Sequence, residues 1–348
     1  MSYVRPEIAA MAGYVPGEQP QAGKFIKLNT NENPYPPSSK AVRAIQEAAE
    51  TSLIRYPDSL GTPFRMRAAE LWGVEPDWIL CGNGSDDILT ILTRAMVAEG
   101  KLLRLPYPSY VLYKTLAEIQ GARSQEVKFQ TDWTLGDDFV APDPDLGITY
   151  LPNPNSPSGT ILSPDQVLEL ASKLEGPLLV DEAYADFADE HCVSLVKQNE
   201  RIMVSRTLSK GYGLAGLRFG YLIAQPHLIA ELQKVKDSYN CDALSIAAAT
   251  AAIDDQIWLQ DNVARVRQTR ERMFEELTQM GFSVQPSQAN FLWCTHPDWS
   301  LKTLYEEMKA KRILIRYMLY PEWGEGLRIT VGTDEQVDAC LAVMRSLL

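Results

Sequence analysis

The stretch Ile202-Met203-Val204-Ser205-Arg206-Thr207-Leu208-Ser209-Lys210-Gly211-Tyr212-Gly213-Leu214-Ala215-Gly216-Leu217-Arg218 begins with an apolar run. Ile202–Val204 is short and continuous, as expected of a strand covered on both faces. Just past it stands a lysine flanked by hydroxyls and glycines. Ligands of open α/β sheets bind outside the carboxyl ends of strands. A flexible amine held there is what a carbonyl compound needs to form a Schiff base. Arg218, eight residues after Lys210, is within reach of a phosphate. Taken alone, the segment reads more readily as a loop with a surface lysine, since lysines are mostly exposed.

Outward from this stretch the same pattern repeats. Trp78–Cys81, Leu102–Leu105, Ile148–Leu151, Leu178–Val180 and Leu217–Ala224 are further strand candidates. Helices are expected over about 39–51 and 62–72, and behind Gly84, where Ile88, Leu89, Ile91, Leu92, Ala95 and Met96 recur at helical spacing. Strands alternating with helices imply an α/β domain with a mostly parallel sheet. After a long helical stretch a second unit follows. It has helices at Arg272–Met280, Leu301–Ala310 and Asp334–Leu347, and strands at Ala289–Cys294, Ile313–Arg316 and Leu327–Val331. The expected organisation is an irregular arm over 1–28, a large domain over 29–260 and a small C-terminal α/β domain over 261–348, joined inside a helix.

Three more polar segments follow strands. Gly82-Asn83-Gly84-Ser85-Asp86-Asp87 is either an anion site at a helix N-terminus or a plain turn capped by Ser85 or Asp86. Asp181-Glu182-Ala183-Tyr184 sets two carboxylates directly after a buried strand, costly unless they are paired. Asp181 is placed to meet a cationic ring nitrogen, or else to cap the next turn. Pro152-Asn153-Pro154-Asn155-Ser156-Pro157-Ser158-Gly159 is either a rigid holder of polar side chains or a stiff connector.

Composition narrows the classes. The chain has 348 residues and a net charge of −12, which argues against nucleic acid or an anionic membrane as partner. No run approaches about 18 apolar residues, and the N-terminus lacks the pattern of a secretory signal. Cys81, Cys192, Cys241, Cys294 and Cys340 are scattered and odd in number, as reduced thiols in a cytoplasmic protein would be. His191, His227 and His296 show no metal-ligand spacing.

The order NPNSPSG, DEAY, SRTLSKGYGLAGLRFG resembles the fold-type I pyridoxal-phosphate enzymes. KLNTNENPYPPS, RYPD, GNGSDDI, PSYVLY and GLRITVGT resemble, more closely, histidinol-phosphate aminotransferases. The likeness runs from about residue 14 to about residue 333. It implies a fold-type I transferase, its large domain an α/β/α sandwich, using pyridoxal 5′-phosphate. It implies transfer of an amino group between L-histidinol phosphate and glutamate or 2-oxoglutarate in histidine biosynthesis. By resemblance, Lys210 carries the cofactor, Asp181 holds its pyridine nitrogen protonated and Tyr184 bonds its 3′-oxygen. Tyr110 resembles the aromatic residue stacked on the ring. Ser85, Asp86, Ser209 and Arg218 match phosphate ligands. Tyr56 matches a tyrosine that reaches the phosphate from a second subunit, which implies a homodimer with shared sites. Arg328, Arg316 and Tyr14 match the substrate pocket, with the N-terminal arm closing over it.

The chain departs from the family pattern at one place. Where many relatives have a second asparagine contacting the cofactor oxygen, this chain has Ser156. Either Ser156 substitutes or Asn155 reaches in. Related chemistries share much of this pattern, among them aromatic aminotransferases and lyases such as threonine-phosphate decarboxylase. A regulatory protein built on the same fold would need a basic DNA-binding segment, for which the chain has no spare length.

Overall fold

The computed structural model describes residues 3–13, 17–19 and 23–348. Thirteen strands are formed among them. In chain order these are β1 (Ile26–Lys27), β2 (Ile79–Gly82), β3 (Leu102–Tyr107), β4 (Arg123–Lys128), β5 (Leu146–Pro152), β6 (Leu178–Asp181), β7 (Ile202–Thr207), β8 (Gly220–Ile223), β9 (Ser283–Val284), β10 (Phe291–Thr295), β11 (Ile313–Leu314), β12 (Arg316–Tyr320) and β13 (Gly324–Thr330).

Seven strands make the main sheet, in the order β2-β8-β7-β6-β5-β3-β4. Its ladders are parallel except those of β8, which is antiparallel to both neighbours. The continuous apolar runs have their physical reason here. Side chains alternate across a strand, and both faces are covered. Ile79, Cys81, Leu178, Val180, Ile202 and Val204 pack into one core, and Leu80, Leu179 and Met203 into a second on the opposite face. Full burial of such a side chain stabilises by about 1.5–3 kcal/mol. Helices Ser85–Met96 and Leu112–Gln120 cover the second core. Helix Pro164–Lys173, which starts with a capping box between Ser163 and Gln166, covers the first. The sandwich expected from the sequence is formed.

The C-terminal part holds an antiparallel sheet, β12-β13-β10-β9. Helix Asp334–Leu347 packs beside it, opened by a capping box between Thr333 and Gln336.

Several boundaries differ from expectation. The helix expected at 272–280 is the second half of a 24-residue helix, Gln256–Gln279, which runs through position 261 unbroken. The strand expected from 217 starts at Gly220, because Ala215–Leu217 is a 3-10 turn and Arg218 has a left-handed backbone, φ 57°. Ile313–Arg316 divides between β11 and β12. β11 pairs in parallel with β1, which lies inside the expected irregular arm. β4 was not foreseen.

Candidate active site

The carboxyl ends of β5, β6 and β7 open into a cavity of about 410 Å³. Ligand pockets typically fall between about 300 and 1,000 Å³. Lys210, Asp181, Tyr184, Tyr110, Ser85, Asp86, Ser156, Ser209, Arg218, Arg316 and Arg328 all line it. Residues expected from separate motifs thus meet at one place.

Asp181 ends β6, and the sheet register pairs it with Ser205. Ser205 Oγ donates to Asp181 Oδ1 at 3.0 Å, and Tyr113 Oη donates to Oδ2 at 2.7 Å. The carboxylate is 4% exposed and, among the described residues, makes no ion pair. Burial pushes its pKa up, against the pull of the two hydroxyls. A buried acid with only neutral donors, facing a cavity, suits a cationic ligand atom.

The helix Ser85–Met96 starts at Gly84, and no side chain caps it. The capped-turn reading is therefore excluded, and the first amides stay available for an anion. Gly84 and Gly220 keep this corner open. A Cβ at Gly84 would come 2.6 Å from the Arg218 guanidinium, and one at Gly220 would come 2.7 Å from Ser85 N. Arg218 donates to Asp86 Oδ2 at 3.1 Å and reaches Ser209 Oγ at 3.5 Å. Asp86 also accepts from Tyr110 Oη at 3.1 Å. Its side chain holds neighbours, leaving its backbone amide as the group for an anion.

Lys210 Nζ lies 3.2 Å from Thr30 O and 5.6 Å from the centre of the Tyr184 ring. Tyr184 packs edge-on against Phe291, with centroids 5.0 Å apart. On the far wall the register of β12 and β13 sets Arg316 opposite Arg328. Like charges directly opposite on a sheet are destabilising. Neither arginine makes an ion pair among the described residues. Arg328 donates to Ser156 Oγ at 2.8 Å and to Asn29 O at 3.2 Å, and its buried Nε has no partner. Two adjacent unneutralised guanidinium groups make a receptor for an anion.

Three expected residues stand apart. Asn155 does not line the cavity; its amide donates to Ser158 Oγ at 2.9 Å and to Pro108 O at 3.3 Å. Ser156 is the residue that faces inward. Tyr56 is 81% exposed and stacks on Tyr239 at 4.6 Å, outside this chain's own cavity. Tyr14 lies outside the described residues, although Gly13 and Gly17 beside it line the cavity.

The family described as aminotransferase class I and II matches residues 23–344. The chain belongs to that family. The aminotransferase is 58% identical to the histidinol-phosphate aminotransferase of Rhodopirellula baltica, over 98% of this chain and 94% of that one. It is 46% identical to histidinol-phosphate aminotransferase 1 of a Nostoc species, over 100% and 98%. In fold it is similar to the histidinol-phosphate aminotransferase of Sinorhizobium meliloti, solved in complex with pyridoxal-5′-phosphate. The TM-score is 0.88 at 24% identity, covering 100% and 99% of the two chains.

Sequence reasoning missed several groups of this aminotransferase's site. Tyr113 and Ser205 orient Asp181. Asn33 Nδ2 holds the carbonyls of Lys210 and Gly211 at 2.9 and 3.0 Å. Asn31 bonds Tyr184. The recurrence of Asn29, Asn31 and Asn33 every second residue, with no apolar stripe to explain it, was the available signal. No helix among the described residues is long and apolar enough to cross a membrane.

Proposed function

We propose that this aminotransferase exchanges an amino group between L-histidinol phosphate and 2-oxoglutarate. In the biosynthetic direction it makes histidinol phosphate from imidazole-acetol phosphate and glutamate, a step of histidine biosynthesis. The paired, unneutralised Arg316 and Arg328 beside Lys210 carry this reading, since both substrates present anionic groups. The names of the relatives at 58% and 46% identity support it.

Pyridoxal 5′-phosphate is the cofactor, and the residues present fit it. Asp181 would meet the ring nitrogen, Tyr184 and Ser156 the 3′-oxygen, and Tyr110 the ring face. The amides of Ser85 and Asp86, with Ser209 and Arg218, would hold the phosphate. Bound there, the cofactor supplies an electron sink for charge left at the substrate Cα. Asp181 favours the protonated ring nitrogen through its negative field. Lys210 Nζ would hold the cofactor through its aldehyde until the substrate amine takes that place, and the freed amine would then be placed to move the proton at the substrate Cα, work typically worth about 10²–10⁴-fold. Arg328 and Arg316 orient the substrate anion, for which guanidinium forks suit carboxylate and phosphate alike. Asn155 acts behind Ser156, fixing the turn.

A homodimer with shared sites completes the reading. Leu53, Ile54 and Tyr56 form an exposed apolar patch that a second copy would cover, with Tyr56 reaching the other copy's phosphate site. The pocket takes walls from both a large domain (29–260) and a small one (261–348), with Lys210 and Asp181 from the first and Arg316 and Arg328 from the second. Five buried free thiols suit the cytoplasm.

The test is spectroscopic. L-Histidinol phosphate added without a keto acid should bleach the cofactor's absorbance band, and 2-oxoglutarate should restore it. Lys210→Ala should lack the starting band. A response to phenylalanine or tyrosine alone would assign an aromatic aminotransferase instead, and carbon dioxide release without a keto acid would assign a lyase.

A further inference from the structure

Asn31 joins three parts of the molecule through four polar groups. Its backbone N–H donates to Thr330 Oγ1 at 3.0 Å, and its carbonyl accepts from Asn290 Nδ2 at 3.0 Å. Its Oδ1 accepts from Thr330 Oγ1 at 3.1 Å, and its Nδ2 donates to Tyr184 Oη at 3.0 Å. Asn31 is 1% exposed and has a left-handed backbone, φ 55°. Asparagine and aspartate tolerate that conformation better than other side chains.

Thr330 Oγ1 receives the Asn31 N–H, so its single proton is free for Asn31 Oδ1. In this arrangement the amide oxygen faces Thr330 and the amide nitrogen faces Tyr184. A phenol has one proton to donate and two lone pairs. With Asn31 occupying a lone pair, the Tyr184 proton is left for another acceptor. Among the described residues the Tyr184 hydroxyl donates to none, and Tyr184 lines the cavity.

We propose that Asn31 is a positioning residue that fixes Tyr184 as a donor aimed into the cavity, toward an oxyanion of the bound ligand. Thr330 sets the polarity from β13, two residues beyond Arg328. The inference rests on the reading of the site given above, in which that oxyanion is the cofactor's 3′-oxygen.

Asn31→Asp separates donor from acceptor. It keeps the size, the left-handed backbone and the bond from Thr330, but it cannot donate. The Tyr184 proton would turn back to the new carboxylate. Lost donation to the oxyanion should raise the pH midpoint of the bound cofactor's absorbance band by about one unit, roughly ten-fold in the protonation equilibrium. Cofactor affinity, measured by equilibrium titration, should fall several-fold. Asn31→Gly, which keeps the backbone conformation and adds no charge, should shift the midpoint in the same direction by less. In a Tyr184→Phe background both shifts should shrink to a small remainder. An equal shift from Asn31→Asp in both backgrounds would trace the effect to the added charge alone and overturn the proposal. An unmoved midpoint with intact Tyr184 would overturn it too, while leaving the cofactor reading standing. Failure of the unaltered protein to develop any band with pyridoxal phosphate would overturn both.

Discussion

Asp181 and Asp186 stand five residues apart, Asp181 buried and the Asp186 side chain only 6% exposed, and they differ in their partners. Asp186 and its neighbour Glu182 close on the Arg206 guanidinium, whose other face lies 5.0 Å over the Trp72 ring. Burial pushes the Asp186 carboxyl up, as it does that of Asp181, but Asp186 has the pull of Arg206 against it, and the two carboxylates hold that guanidinium firmly protonated. That cluster is saturated. Asp181 has only hydroxyl donors and faces the cavity. The difference separates structure from chemistry: a buried acid balanced within the chain holds the fold, and one left unbalanced waits for its cation.

The strongest way to break this contrast is Asp181→Asn. Without the negative field at the ring nitrogen, kcat/KM should fall by about 10³-fold or more, on the scale of losing a major preorganised electrostatic contact. Stability of the cofactor-free chain should move the other way. The pKa of Asp181 is raised by burial. The folded chain then binds that proton more tightly than the unfolded one, so the group's contribution is present at low pH and is lost as pH rises through the folded value. Above that value the cost of burying the carboxylate counts against folding. Asp181→Asn should therefore raise the cofactor-free Tm by roughly 1–2 °C, as about 1 kcal/mol would in a chain of this length. The gain should shrink as pH falls toward the ordinary carboxylate range. Activity retained within ten-fold, or a lowered Tm at pH 7, would erase the distinction.

Arg206→Met tests the other half. It strands Glu182 and Asp186 without a cation, and breaking a buried pair from one side typically costs about 3–5 kcal/mol. Urea unfolding of the cofactor-free protein at pH 7 should show the loss as a lower midpoint. A change below about 0.5 kcal/mol, the range of ordinary surface substitutions, would mean that the cluster is not what holds this corner.

The sequence made the saturated and the waiting acid look alike, and the reason is physical. What distinguishes them is long-range: Arg206 lies 20 and 24 residues from its partners, and Tyr113 lies 68 from Asp181. Local signals carried what depends on periodicity. Ser39–Thr51, Thr62–Trp72, Leu301–Ala310 and Asp334–Leu347 were legible as helices to within a residue, because caps and apolar spacing mark them. Arg123–Lys128 was not. It is the outer strand of the sheet, and only Val127 in it is buried, so no apolar run announces it. The lysine, the first aspartate and the arginines were legible through resemblance. The asparagines of 29–33 were quoted in that resemblance without a role, since their partners lie up to 299 residues away.

Ser156 and Asn155 offer the smallest and sharpest version of the same comparison. Ser156 Oγ accepts from Arg328 at the cavity wall, while the Asn155 amide is spent on Ser158 and Pro108 within its own corner. Ser156→Ala removes a neutral acceptor from a charged donor whose Nε is already without a partner. A hydrogen bond to a charged group contributes about 1.5–3 kcal/mol net, so KM for the anionic substrate should rise roughly ten-fold or more, by the factor of ten per 1.4 kcal/mol. Asn155→Ala should leave that KM within two-fold and lower the Tm instead. A reversal, with Asn155 controlling KM and Ser156 only stability, would place the working side chain on the residue that the structure turns away from the cavity.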